Sequence, residues 1–217
     1  MLSARSPRRM PGSRRACRTA APGLPRWFDF TAAALGLSLL APLLALVWLL
    51  IHFDSPGPAL FQQDRVGLRG RRFRCLKFRT MAVVDLTEVW KIEDFSTYQF
   101  NPAGARDPRL TPIGEALRRT SIDELPQLLN VVRGDMALVG PRPEIPEIVT
   151  QYPAAYQQRH AVLPGVTGEA QVKGRADLSY AETMAHDLRY IGRRSRPRDL
   201  RILWRTVRAV GSGAGAR

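Results

Sequence analysis

Two adjacent carboxylates, Asp123 and Glu124, lie in the densest stretch of functional side chains in the chain, LRRTSIDELPQLLNVVRGDMALVGPRP (117–143). Arg118 and Arg119 precede them and an apolar run follows. A carboxylate pair with an arginine about one turn away could hold Mg²⁺, draw an anionic diphosphate against a nucleophile and offset its charge. The spacing also permits a purely structural reading. Ser121 and Glu124 are separated as in a capping box, and acidic residues favour the first turn of any helix. Pro126 leaves the helix start open, because it would suit the first turn of a helix capped by Asp123.

Downstream, Gly134 and Asp135 predict a turn and Met136 to Val139 a short strand. Gly140, Pro141, Arg142 and Pro143 predict a stiff loop presenting one guanidinium. An arginine fixed in this way loses little entropy when it clasps a phosphate or a base edge. Upstream, Ala59 to Gln63 and Arg72 to Phe78 predict strands around a Gly67–Gly70 turn. Residues 83–107 read as an excursion between elements, and helical spacing resumes near Ile113.

The carboxylates must also be positioned relative to the apolar segment from Phe28 to Phe53. Ala32 to Ile51 carries no charge, over a length able to cross a hydrocarbon core of about 30 Å. Pro42 interrupts it, and arginines crowd both flanks: Arg14, Arg15, Arg18 and Arg26 before, Arg65, Arg69, Arg71, Arg72 and Arg74 after. Positive flanks prefer the cytoplasmic side. The expectation is therefore a re-entrant helix that bends near Ala41 and Pro42, with both ends in the cytoplasm. The exit His52, Phe53, Asp54, Ser55, Pro56 lacks a small-residue cleavage site, which argues against a removable signal.

Residues 1–25 are basic and poor in large apolar side chains, and are expected to be a disordered arm. The remaining divisions are a membrane helix over 26–54, a catalytic domain over 55–210 and a flexible tail over 211–217. Near the end, Leu200, Leu203, Val207 and Val210 fall on one helical stripe and Arg198, Arg201, Arg205 and Arg208 on another, with Trp204 at the border. That pattern suits an interfacial helix or a helix packed on the core. The 217 residues carry a net charge of +14, which calls for an anionic partner without choosing it. Cys17 and Cys75 form neither a disulfide framework nor a zinc spacing. His160 and His186 have no metal-ligand spacing and are not assigned to the site.

Four long blocks in order resemble the bacterial sugar transferases, also called monotopic phosphoglycosyl transferases or polyprenol-phosphate sugar-1-phosphate transferases. They are RWFDFTAAALGLSLLAPLL, GPALFQQDRVGLRGRRFRCLKFRTM, DPRLTPIGEALRRTSIDELPQLLNVVRGDMALVGPRP and LPGVTGEAQVKGRADLSYAETMAHDLRYI. The resemblance implies a mostly helical α+β fold: a compact cytosolic domain on an N-terminal re-entrant membrane helix, with amphipathic interfacial helices. It implies transfer of a sugar 1-phosphate from a UDP-sugar to polyprenyl (undecaprenyl) phosphate, with Mg²⁺, at the cytoplasmic face of the inner membrane. UMP is released, and the minimal form of the enzyme initiates a surface glycan.

By the same resemblance Asp123 is the nucleophile and carries a covalent phosphosugar, which predicts ping-pong kinetics. Glu124, with Asp123, holds the metal. Arg118, Lys77 and Arg79 are phosphate contacts, Arg142 and Arg175 nucleotide or sugar contacts, and Asp29 anchors the membrane helix. Phospholipid is an expected partner, nucleic acid is not, and a homodimer is left open. The chain departs from the family pattern at Glu169, usually Trp, at Lys173 and Ala176, usually Asn, and at Ala41, usually Ser. The changes at 169, 173 and 176 bear on the donor rather than on the reaction, and Ala41 removes one possible partner for the carbonyl freed by Pro42. The competing readings are a membrane-anchored basic nucleic-acid-binding or adaptor protein and a diverged, inactive member.

Overall fold

The computed structural model describes residues 22–82, 94–95, 109–174 and 178–211. Residues 1–21 of the basic arm, the 211–217 tail beyond its first residue, Arg175, Ala176 and almost all of the 83–107 excursion lie outside the described residues.

The apolar segment forms one helix, α1 (Arg26–Asp54), continuous through Ala41 and Pro42. At 1.5 Å per residue its 29 residues extend about 43 Å. A seam along it is covered by the domain. Asp29, Ala33, Val47 and Ile51 are buried, while Trp27, Phe30, Leu35, Leu39, Leu46, Leu49 and Phe53 stay exposed. Only 11 % of its most apolar 18-residue stretch is buried, which is not how the core helix of a water-soluble protein sits.

Both ends of α1 are fastened to the same body. At the start, Arg26 donates to the Met136 carbonyl (2.8 Å), and the Leu138 N–H donates to Asp29 (3.2 Å). At the end, the Arg79 guanidinium donates to the carbonyls of Ile51, Ser55 and Pro56. Ala33 packs with Cys75, Val131 and Met136, and Val47 and Ile51 pack with Ala59, Phe78 and Leu117.

The antiparallel pair β1 (Leu60–Val66) and β2 (Arg72–Phe78) follows, in register from Leu60↔Phe78 to Val66↔Arg72. The turn between them needs left-handed backbone at Arg69 (φ 55°) and Gly70 (φ 74°), which glycine adopts without strain. After the excursion, α2 (Pro112–Thr120) is capped by Thr111, whose side chain accepts from the Gly114 N–H (2.9 Å). A single 3₁₀ turn, Ile122–Glu124, leads into α3 (Gln127–Arg133), which Gly134 (φ 92°) ends.

β3 (Ala137–Val139) and β4 (Gly165–Thr167) pair in parallel, joined by a crossover through α4 (Pro146–Val149) and a 3₁₀ segment at Tyr156–Ala161. α5 (Glu169–Lys173), α6 (Tyr180–Gly192) and α7 (Arg196–Gly211) complete the domain. A full capping box does occur, at Ser179 and Glu182 on α6. The fold is mostly helical with two small sheets, as expected.

On α7 the covered stripe differs from the expected one. Asp199, Ile202, Leu203 and Thr206 face inward, leaving Leu200, Trp204, Val207 and Val210 exposed. Asp199 takes a core position because it accepts from the Leu24 N–H (2.8 Å) and the Tyr190 hydroxyl (2.8 Å). A hydrophobic pattern does not register a carboxylate there.

Candidate active site

The capping reading of Ser121 and Glu124 does not hold. Ser121 is left-handed (φ 58°) and terminates α2, with no side-chain cap. Pro126, not Asp123, precedes α3. The two carboxylates instead occupy the 3₁₀ turn, relieved of any helix-capping duty. Glu124 turns to two cations that meet on one oxygen, Oε1: Lys77 Nζ at 3.1 Å and Arg142 Nη2 at 2.6 Å. Asp123 is 8 % exposed, and among the described residues no group donates a hydrogen bond to its carboxylate.

Each cation is placed by a different element. Lys77 shares a face of β2 with Cys75, since side chains alternate along a strand. Together with Arg65, Gln127, Arg142 and Pro143 they line a narrow cleft beside Glu124. β2 is locked to α3 by Asn130, which is fully buried. Its Oδ1 accepts from the Leu76 N–H (3.0 Å), and its Nδ2 donates to the Arg74 carbonyl (2.7 Å). The visible signal was an amide inside the apolar run LLNVV, since a buried amide must find partners.

Arg118 projects from α2 and donates Nε to Thr80 Oγ1 (3.1 Å). That reach depends on Gly114: a Cβ there would stand 2.0 Å from the Thr80 carbonyl oxygen, so only glycine lets α2 sit against the strand end. Arg142 is held through its own backbone. Its carbonyl accepts from Arg159 Nη2 (2.7 Å), and Arg65 Nη1 donates to the Pro143 carbonyl (3.1 Å) and to Glu144 (3.2 Å). Arg159 also pairs with Asp187 (2.9 Å) and donates to the Tyr152 hydroxyl (2.7 Å). Tyr152 contacts Tyr180, which reaches Glu144 (3.4 Å). Sequence reasoning missed Arg65, Glu144, Arg159 and Asp187, because buried ion pairs between distant segments leave no periodic trace.

These surroundings separate the two carboxyls. Burial, reinforced by the neighbouring Glu124 charge, pushes Asp123 up to about 6, against the attraction of Lys77, Arg142 and Arg118. Burial acts on Glu124 in the same sense, but Arg142 and Lys77 outweigh it and hold that carboxyl well below the usual range. Burial lowers Lys77, while the Glu124 charge raises Arg142. The result is one firmly ionised, clamped carboxylate beside one that titrates near neutrality and accepts no hydrogen bond among the described residues.

Asp123, Glu124, Lys77, Arg142 and Arg118 therefore converge. Arg79 does not join them: expected as an anion contact, it is buried and its guanidinium is committed to the end of α1, where carbonyls lack helical partners. Arg175 lies outside the described residues. Glu169, expected beside the donor site, pairs with Arg198 of α7 (2.9 Å), and Lys173 also faces α7. His160 stacks on Tyr152, and burial, aided by Arg159, lowers it to about 4, which keeps it neutral.

Among the described residues no cluster of three or more His, Cys, Asp or Glu side chains could hold a metal by itself. The donors that are present still fit Mg²⁺, which is commonly held by one or two carboxylates with substrate phosphates completing its shell. Both cations use Oε1 of Glu124, leaving Oε2 and the Asp123 carboxylate as the available oxygens.

Residues 21–213 match the family model described as bacterial sugar transferase. The exopolysaccharide production protein ExoY of Rhizobium meliloti is 38 % identical over 196 residues, covering 88 % of this chain and 87 % of that one. The UDP-glucose:undecaprenyl-phosphate glucose-1-phosphate transferase of Caulobacter vibrioides is 47 % identical over 190 residues, 84 % of this chain and 67 % of that one. The UDP-N-acetylgalactosamine-undecaprenyl-phosphate N-acetylgalactosaminephosphotransferase of Aeromonas hydrophila is 38 % identical over 198 residues, 88 % of this chain and 44 % of that one.

Proposed function

The chain belongs to the bacterial sugar transferase family, and on that premise we propose that it moves a sugar 1-phosphate from a UDP-sugar to undecaprenyl phosphate and releases UMP. The observation that carries this reading is the division of labour within the carboxylate pair. Glu124 is pinned by Lys77 and Arg142, and Asp123, beside it, keeps its oxygens for a reacting atom.

An Asp123 oxygen attacks the β-phosphorus of the donor. The bond from that phosphorus to the α-phosphate oxygen breaks, and UMP leaves with the electron pair. Arg118, Lys77 and Arg142 surround the site with positive charge that offsets the charge on the leaving phosphate. An oxygen of the lipid phosphate then attacks the same phosphorus and the bond to Asp123 breaks, restoring the carboxylate. Asp123 and Glu124 would hold Mg²⁺, which when bound would neutralise charge on the diphosphate. Keeping Asp123 short of full protonation at neutral pH maintains the nucleophilic form.

The membrane part of the proposal is a re-entrant α1 with the domain at the cytoplasmic face of the inner membrane. Its support is that Arg26 and Asp29 at one end, and Ile51 and Ser55 at the other, are fastened to one domain. A spanning helix would place those ends on opposite sides. Impermeant cysteine labels should reach positions flanking both ends of α1 from the cytoplasm only; labelling of one flank from outside would establish a span.

The catalytic part is tested by UMP release from a panel of UDP-sugars, with Mg²⁺ and undecaprenyl phosphate, beside Asp123→Asn. Lipid-dependent release lost in the variant supports the proposal and names the sugar. Without acceptor, acid quenching should trap the phosphosugar on the peptide containing Asp123. Turnover that proceeds with no such adduct sinks the two-step route. The relatives act on different sugars, as their names state, so the panel must include glucose and N-acetylgalactosamine donors.

A further inference from the structure

The groove between α5 and α7 is a surface feature that the reaction leaves unused. It encloses about 540 Å³ and is lined by Val172, Lys173, Trp204, Arg205, Arg208 and Ala209. Three of these six side chains are cations and none is a carboxylate. Glu169, the acidic residue at the start of α5, is occupied with Arg198. The Arg208 guanidinium lies 4.8 Å from the centre of the Trp204 ring, so the indole and one cation form a single surface.

α7 presents three faces. Asp199, Ile202, Leu203 and Thr206 are turned to the domain; Arg201, Arg205 and Arg208 form a basic edge; Leu200, Trp204 and Val207 are 50 %, 58 % and 72 % exposed. A helix facing only water gains nothing from that last stripe. Beside an arginine edge it has the composition of a helix lying in the headgroup layer. The beginning of α7 is tied to the beginning of α1 by the Leu24 N–H bond to Asp199, with Trp27 68 % exposed close by in sequence.

We propose that this groove receives the headgroup of an anionic phospholipid, with Lys173, Arg205 and Arg208 meeting the phosphate while Leu200, Trp204 and Val207 enter the acyl boundary. The assignment rests on the membrane seat of α1 proposed above. A soluble nucleotide would match the charge but not the apolar stripe. Lys173 adds one of the three charges.

The test uses the full chain in nanodiscs of phosphatidylcholine alone or mixed with phosphatidylglycerol. With Cys17→Ser in the background, an environment-sensitive fluorophore is placed by Val207→Cys and, separately, by Leu39→Cys, and quenching by brominated lipid is read. The Val207 label should be quenched about twofold or more strongly in discs containing phosphatidylglycerol, and Arg205→Gln with Arg208→Gln should return it to the phosphatidylcholine level. UMP release in detergent should be unchanged in that double variant. No quenching at 207 in either disc overturns the proposal, as does equal quenching that ignores the double variant. Displacement by UMP would assign the groove to the nucleotide instead. The Leu39 label should be quenched in every disc; if it is not, the membrane seat of α1 has failed, not merely the headgroup site.

Discussion

Replacing Asp123 by asparagine should abolish turnover and stabilise the protein at neutral pH. In the unfolded chain this carboxyl titrates near 3.8, and in the fold it is pushed up to about 6 by burial and the Glu124 charge. The fold thus favours the protonated form. That preference stabilises the native state in full below pH 3.8 and is lost as pH rises through 6. Above pH 6 the ionised side chain gives up about 3 kcal/mol, at about 1.4 kcal/mol per pH unit between the two values. Asparagine is neutral throughout and keeps the preference. The variant should therefore exceed the parent by up to about 3 kcal/mol at pH 8 and by only about 1 kcal/mol at pH 4.5. For a chain of this size the larger figure corresponds to roughly 6–12 °C in Tm. Thermal unfolding followed by tryptophan fluorescence in detergent, at both pH values, measures it. A gain that is the same at pH 4.5 and pH 8, or a loss at pH 8, would refute the reasoning that Asp123 is an electrostatically strained carboxylate.

Protonating the nucleophile should make lipid-dependent UMP release fall with acid, at a pH below the metal-free value of about 6 because Mg²⁺ on the pair favours the ionised carboxylate; release that rises steadily toward about pH 4 would count against it. Arg142→Ala removes the 2.6 Å partner of Glu124 and should lower turnover about a hundredfold. Because that side chain is 43 % exposed, stability should change by less than about 1 kcal/mol, checked by Tm in the same preparation. Arg79→Gln should instead cost about 2 kcal/mol of stability, since the carbonyls ending α1 lose their donor, and leave KM for the UDP-sugar unchanged; a raised KM would return Arg79 to the phosphate site. Gly114→Ala, a change worth about 1 kcal/mol of gain in an ordinary helix, should lose about 2 kcal/mol, because the new methyl meets the Thr80 carbonyl at 2.0 Å, and turnover should fall as Arg118 shifts.

What the sequence disclosed was set by range. β2, α2, the Gly134 stop and the stiff loop around Arg142 rest on signals within a few residues, and each lies close to where local chemistry puts it. Asp123 and Glu124 were legible as a pair, but their release from capping was not, because it depends on Ser121 closing α2 in a left-handed conformation. Arg79 was misleading for a related reason. In the sequence it is one more cation beside Lys77, and only the packing of the end of α1 against β2 gives it three carbonyls to hold. The buried Arg159–Asp187 and Arg65–Glu144 pairs, separated by 28 and 79 residues, join segments that nothing in the linear order connects.

The four residues Lys77 to Thr80 have a joint consequence. Lys77 touches Glu124, Arg79 grips the end of the apolar helix, and Thr80 meets Arg118 and the underside of α2. Side chains of this one short run touch both the Asp123–Glu124 turn and the end of α1. On the membrane seat proposed for α1, the depth and inclination at which the protein floats would be coupled to the spacing of these charges, as a keel is coupled to a hull. Bilayer thickness would then be a condition of the proposed chemistry as well as of the address.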